Sequence, residues 1–164
     1  MRSALATMFT LTTYGTWLRG DARGWVDDAI VFPPNPTLES FDRGQLKHAP
    51  FYFDADSRPG IGQAMGESLI QRLNLDIYAL CVQSWHCHFV VGSSEHDDAA
   101  IAKCAKDAVR WHLRVDGRIW GTGYDRRYCF DDRAVHSRIT YVEKHNLRDG
   151  LAARPWGFIR TPTY

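Results

Sequence analysis

Asp76-Ile77-Tyr78-Ala79-Leu80-Cys81-Val82-Gln83-Ser84-Trp85-His86-Cys87-His88-Phe89-Val90-Val91 is the stretch around which the rest of the chain can be arranged. Two apolar runs rich in β-branched and aromatic residues flank the polar pair Gln83-Ser84. This predicts two buried strands, 76–82 and 85–91, joined as a hairpin. Side chains alternate along a strand, so Trp85, Cys87, Phe89 and Val91 share one face while His86 and His88 share the other. The first face is a core stripe. On the second, two imidazoles stand with Cβ atoms about 7 Å apart over two residues of strand rise. Nitrogens at that spacing can converge on one cation; the same spacing fits a pair of hydrogen-bonded histidines equally well.

On either side of the hairpin the chain alternates between strand and helix patterns. Residues 6–14 read as a strand that Gly15 ends, and 62–73 as a helix with Met65, Leu69, Ile70 and Leu73 on its packed side. Ser94 and Asp97 have the spacing of an acidic capping box before a helix over 99–113 that buries Ile101, Ala105, Ala108 and Leu113. After Gly117 a loop with Trp120, Gly121, Gly123 and Tyr124 leads to a short strand at 128–130. Asp131 or Asp132 then caps a last helix running to about Asn146, with Val135, Ile139 and Val142 inward and Gly150 just past its end. Residues 18–60 hold five prolines and no sustained period. They read as a long surface excursion with a turn of helix near 38–46.

The order β, α, β, β, α, β, α predicts an α+β fold, a ferredoxin-like sandwich whose antiparallel sheet carries its helices mainly on one face. A chain of 164 residues, 45% of them hydrophobic, suits a single domain over 1–164 with one core. No apolar run approaches the roughly 20 residues of a membrane helix, and the first eight residues lack the apolar segment of a secretory signal. The expectation is a cytoplasmic protein with no membrane partner. Cys81, Cys87, Cys104 and Cys129 include no C-x-x-C pair, which argues against a zinc ribbon or disulfide framework.

A net charge of +1 gives no global case for a polyanionic partner, but the charge is unevenly distributed. Residues 21–58 carry four basic and seven acidic groups, and residues 103–138 nine basic and five acidic. Within the second stretch Lys103, Lys106, Arg110 and Arg114 recur at three, four and four residues, along one side of a helix. That is the pattern of a phosphate track or of a solvated helix face.

The last helix adds chemistry. Tyr141 and His145 are one turn apart and share a side, expected to be the polar one, away from Val135, Ile139 and Val142. If His145 joins His86 and His88 on a divalent ion, a phenol stands one turn from a Lewis acid that can polarise a phosphodiester. The plain alternative is a solvated tyrosine and a histidine that complements the helix dipole.

Trp85-His86-Cys87-His88-Phe89-Val90-Val91 resembles the His-hydrophobic-His strand of the HUH nucleases. Tyr141-Val142-Glu143-Lys144-His145-Asn146-Leu147-Arg148-Asp149-Gly150-Leu151 resembles the tyrosine helix of IS200-like, single-tyrosine (Y1) transposases, a group that includes the REP-associated tyrosine transposases. The likeness covers residues 75–156 and the opening strand. It implies a metal-dependent single-stranded DNA endonuclease and strand transferase, with Tyr141 as nucleophile forming a 5′-phosphotyrosine link and His86, His88 and His145 holding Mg²⁺ or Mn²⁺. The implied partner is single-stranded or hairpin DNA. Relatives act either as homodimers with a shared site or as monomers, and the sequence does not choose. His145 replaces the family's usual Gln or Asn, a softer ligand that favours Mn²⁺; Asn146 stands where relatives often have Pro, and the 18–60 excursion is longer than in a minimal member. Two rival readings remain beside it: a non-cleaving hairpin-binding module, and a metal phosphodiesterase that uses bound water.

Overall fold

The structure, a computed structural model, describes residues 3–27 and 30–163. Its strands are β1 (Ala6–Thr12), β2 (Trp25–Asp27), β3 (Ile30–Phe32), β4 (Ile77–Val82), β5 (His86–Gly92) and β6 (Asp125–Cys129). Its helices are α1 (Pro36–Gly44), α2 (Arg58–Leu73), α3 (Asp98–Leu113) and α4 (Asp132–Arg148), with one turn of 3₁₀ helix at Ala55–Ser57 leading into α2. Among the described residues no helix is long and apolar enough to cross a membrane.

Four strands form an antiparallel sheet in the order β4-β5-β1-β6. The expected 76–91 hairpin is its β4–β5 pair, and β5 lies inside the sheet, which is why all seven of its residues are buried. β4 is buried throughout as well, and a register shift between Ile77 and Ala79 changes its parity. One extra residue there lets Ile77, Leu80 and Val82 face one side while Tyr78, Ala79 and Cys81 face the other.

Each face of the sheet carries its own apolar cluster. Over Phe9, Leu11, Leu80, Cys87, Phe89 and Val91 lie α2, with Ile61, Met65 and Leu69, and α3, with Ile101, Ala105 and Val109. Over Ala6, Met8, Ala79, Cys81 and Val90 lies α4, with Val135, Ile139 and Val142. The protein is therefore an α+β sandwich with two long helices on one face and the third on the opposite face. That third helix is what brings Tyr141 to the histidine side of β5.

Several local expectations need correction. The expected capping box does not form: Asp97, not Ser94, occupies the N-cap position of α3 and makes no side-chain capping bond, and the Oγ of Ser94 accepts from the His96 backbone N–H (3.0 Å) in a tight local turn. The buried stripe of α3 is Ile101, Ala102, Ala105 and Val109, while Ala108 and Leu113 are half-buried. The helix packs against α2 as well as the sheet, which turns the stripe by about one residue. Helix α2 begins at Arg58, with Pro at the start, and β6 begins at Asp125.

The 18–60 excursion is more ordered than its composition suggests. It contains the β2–β3 ribbon, with Trp25 stacked on Phe32 at 4.5 Å between ring centres, and α1, capped by the Asn35 side chain accepting from the Leu38 N–H (3.1 Å). Strands of three residues are too short to show a period. The excursion also returns to the core: Phe53 is buried against Trp120, and its N–H bonds to the Ser84 carbonyl (2.7 Å).

Candidate functional site

The site is built where β5, β1 and α4 meet. Alternation along β5 turns His86 and His88 toward α4, and the backbone register sets Thr10 of β1 opposite His88 and Thr12 opposite His86. The Thr10 hydroxyl lies 2.8 Å from Nδ1 of His88, which fixes the ring and leaves its Nε2 free. Both imidazoles are buried, 8% and 6% exposed.

Helix α4 starts where Asp131 caps it, the carboxylate accepting from the Ala134 N–H (2.8 Å). It stops at a Gly150 of positive φ (75°), where the Leu151 N–H reaches back to the Asn146 carbonyl (3.0 Å). Asn146 is fully buried and donates its amide to Leu80 O of β4 (2.9 Å) and Ala153 O (3.0 Å), which anchors the end of α4 to the sheet. The anchor fixes the height of the preceding turn. In that turn His145 is buried, 8% exposed, so it sits on the flank of the inward stripe and not on the polar side; Tyr141, one turn earlier, is 42% exposed.

The three histidines come together: one nitrogen from each of His86, His88 and His145 lies within 4.8 Å of the others. Ring centres are 4.5 Å apart for His86–His88, 5.6 Å for His86–His145 and 5.0 Å for His88–His145. The Tyr141 ring stands 5.3 Å from His88 and 4.9 Å from His145. Every one of these groups belongs to the same chain.

Electrostatics keeps the cluster uncharged. Burial pushes His88 down to about 2 and His86 down to about 3, reinforced by the neighbouring imidazoles and, at His86, by Arg23. His145 is lowered too, by burial first and by the Arg148 guanidinium second, with Asp149 opposing. Three neutral imidazoles at this spacing are positioned to chelate a divalent metal. The Nδ1 of His86 is buried without a hydrogen-bond partner among the described residues, a cost tolerated where a ring is held for something other than packing.

One contact bears directly on that use. Arg148 Nη2 donates to Nδ1 of His145 (3.0 Å), so the neutral ring carries its proton on Nε2. A cation at Nδ1 takes the place of Arg148, and a cation at Nε2 requires Nδ1 to carry a proton that a guanidinium cannot accept. Either way, ligation by His145 displaces Arg148.

The sequence matches no family model and no curated protein. Its fold does match a solved structure of a REP-associated tyrosine transposase bound to a REP hairpin: the alignment covers 95% of this chain and 76% of that one, at 11% identity and a TM-score of 0.54. The chain has the fold of a REP-associated tyrosine transposase. At that identity the likeness is one of fold.

The four basic residues picked out in the sequence lie away from the histidines, on α3 and its C-cap across the sheet. Lys103, Lys106 and Arg110 line a groove of about 370 Å³ with Arg118, Trp120 and Tyr124. Lys106 donates to the carbonyls of Gly121 (3.0 Å) and Gly123, Lys103 pairs with Asp107, and Arg114 ends the helix in the left-handed conformation (φ 51°) outside the groove. No site role follows from the sequence for Thr10, Arg148 or Asn146, the last of which stands out there only as a departure from the Pro of relatives. For Thr10 a signal existed, since a polar residue on a strand that pairs with His-x-His is a natural partner for one ring. Arg148 and Asn146 lie inside the stretch that resembles the tyrosine helix, but nothing in the sequence marks the contact of Arg148 with His145 or of Asn146 with Leu80 and Ala153.

Proposed function

We propose that the protein is a metal-dependent single-stranded DNA endonuclease and strand transferase of the Y1 HUH type, working as one domain over 1–164 with a ferredoxin-like arrangement of β4-β5-β1-β6. The observation that carries the reading is the placement of an exposed tyrosine, Tyr141, 5.3 Å from His88 and 4.9 Å from His145 beside three converging neutral imidazoles. A water-based hydrolase has no need of a phenol at that point, and a pure binder has no need of the cluster.

His86, His88 and His145 are the residues to hold Mg²⁺ or Mn²⁺, and the all-nitrogen donor set favours Mn²⁺. A divalent ion bound there supplies Lewis-acid stabilisation of charge on a phosphodiester oxygen. Tyr141 is exposed enough to meet the substrate phosphorus, and its Oη forms the new P–O bond as it loses its proton to solvent. The bond from phosphorus to the 3′ oxygen breaks, the departing oxygen takes up a proton as a 3′-hydroxyl, and the 5′ phosphate stays on Tyr141. Attack by a 3′-hydroxyl reverses these changes and joins strands. Thr10 orients His88, and the Asn146 anchor sets the reach of Tyr141.

The partner in this reading is single-stranded or hairpin DNA, and the solved structure of like fold, which is bound to a REP hairpin, supports the hairpin part of it. Packing of α4 on its own sheet supports a site complete in one chain. Lys103, Lys106, Arg110 and Arg114 are then a track for duplex phosphates on the far side of the sheet, a contact that weakens with salt.

The test is incubation of wild type and Tyr141→Phe with end-labelled hairpin DNA from the flanks of the protein's own gene, in Mn²⁺ or Mg²⁺. The expected result is cleavage and a denaturation-resistant protein–DNA adduct for wild type alone. Cleavage that survives in the variant contradicts the tyrosine mechanism, and tight binding without cleavage or adduct in either metal contradicts the enzyme.

A further inference from the structure

The excursion lays one unusual group against the site. Arg23 is held on several sides by its own neighbours: its backbone N–H and Nε donate to Oδ1 of Asp21 (2.8 and 2.7 Å), and Nη2 donates to Oδ2 of Asp21 (2.6 Å) and to the Thr16 carbonyl (2.9 Å). Asp21 is buried, 7% exposed. The guanidinium sits over Trp85 with Cζ 4.2 Å from the ring centre, and the Trp85 ring in turn has its centre 4.0 Å from that of His86. Trp17 meets Trp85 edge-on at 6.0 Å, with its indole N–H fixed on the Gly24 carbonyl (2.8 Å) and 38% of its surface exposed.

Only part of this assembly is used internally. The Arg23 side chain remains 46% exposed, and its Nη1 has no hydrogen-bond partner among the described residues. A surface ion pair contributes little stability by itself, yet here a buried carboxylate, a carbonyl and an indole face all fix the orientation of one planar cation. Such fixation pre-organises a fork of donors for a phosphate, and a guanidinium plane or an exposed indole is a stacking surface for a base. Asp21 offsets the charge, so the contribution of Arg23 lies in a placed donor and not in long-range attraction.

The geometry points to a nucleotide subsite formed by Arg23, Trp85 and Trp17, which holds one unpaired nucleotide next to the phosphodiester at His86, its phosphate on Nη1 and its base against Trp17. This rests on the nuclease reading for its ligand class. It gives the excursion the task of gripping single strand beside the chemistry.

The test is equilibrium binding without divalent metal, in a chelator, so that no cleavage intervenes. The probes are a fluorescent DNA hairpin with about four unpaired nucleotides at one end and the same hairpin without them. Wild type is expected to bind the tailed hairpin about tenfold tighter than the blunt one, the worth of about one stacked base. Arg23→Lys and Trp17→Leu are expected to lose that gain with blunt-hairpin affinity unchanged, and Trp17→Phe to keep most of it. No gain from the tail in wild type, no DNA binding at all, or equal weakening of both probes in the variants overturns the subsite. An adduct from wild type alongside any of those results leaves the nuclease reading standing; a tail effect without an adduct does the reverse.

Discussion

The two faces of the sheet, built from alternate residues of the same strands, have opposite characters. On the α2–α3 face Cys87, Phe89 and Val91 of β5 meet Phe9 and Leu11 of β1 and are sealed beneath two helices, with Phe9 and Phe89 stacked 5.1 Å apart. On the α4 face Val90 lies in an apolar patch of the same kind, but two and four residues earlier the strand presents His88 and His86. A single helix covers that face, and its stripe passes from Val135, Ile139 and Val142 to His145. Burial on one face is used for stability. On the other, burial strips three imidazoles of charge and holds them facing one another.

If this contrast is right, substitutions one residue apart in the strand should have different consequences. The largest effect belongs to Tyr141→Phe. Loss of the nucleophile is expected to abolish the adduct and slow strand cleavage by about 10³-fold or more, with thermal stability within about 0.5 kcal/mol of wild type because the side chain is substantially exposed. Phe89→Ala comes next, and its effect is on folding. Removing a fully buried, stacked ring is expected to cost about 3–5 kcal/mol in urea unfolding; a cost under about 1 kcal/mol would break the comparison.

His88→Ala, one residue away, is expected to cost far less in metal-free stability while weakening Mn²⁺ binding about 100-fold by calorimetry, as loss of a ligand requires. A variant that unfolds like Phe89→Ala but binds Mn²⁺ normally would show that His88 is only packing. The smallest effect is a gain. Arg148→Met removes both the donor that occupies Nδ1 of His145 and the positive charge beside it, so Mn²⁺ affinity is expected to rise about tenfold, near the worth of one hydrogen bond to a charged group. Unchanged or weaker affinity would mean that Arg148 does not compete with the ion.

Much of this was legible in the sequence wherever the signal is local and periodic. Alternation through Trp85–Val91 separates the two faces of β5, Asp131 and Gly150 bracket α4, and the four-residue step from Tyr141 to His145 puts a phenol beside an imidazole. What was not legible depends on contacts between distant segments. The extra residue in β4 leaves no periodic trace, because every residue of that strand is buried. His145 reads as polar-face from helix spacing alone, and only the Asn146 anchor to Leu80 and Ala153 shows that the end of α4 is pulled onto the sheet. The excursion, read as surface, sends Phe53 into the core and Arg23 onto Trp85, pairings across more than 60 residues. The basic side of α3 was legible as a stripe, but its place across the sheet from the histidines follows from topology.

The most direct test of the central claim is to map the covalent link. Wild-type protein is allowed to react with hairpin DNA in Mn²⁺, the adduct is digested with protease and nuclease, and the modified peptide is sequenced by mass spectrometry. A nucleotide joined through its 5′ phosphate to Tyr141 is the predicted result. A link at any other residue, or strand cleavage with no linked peptide, would contradict it.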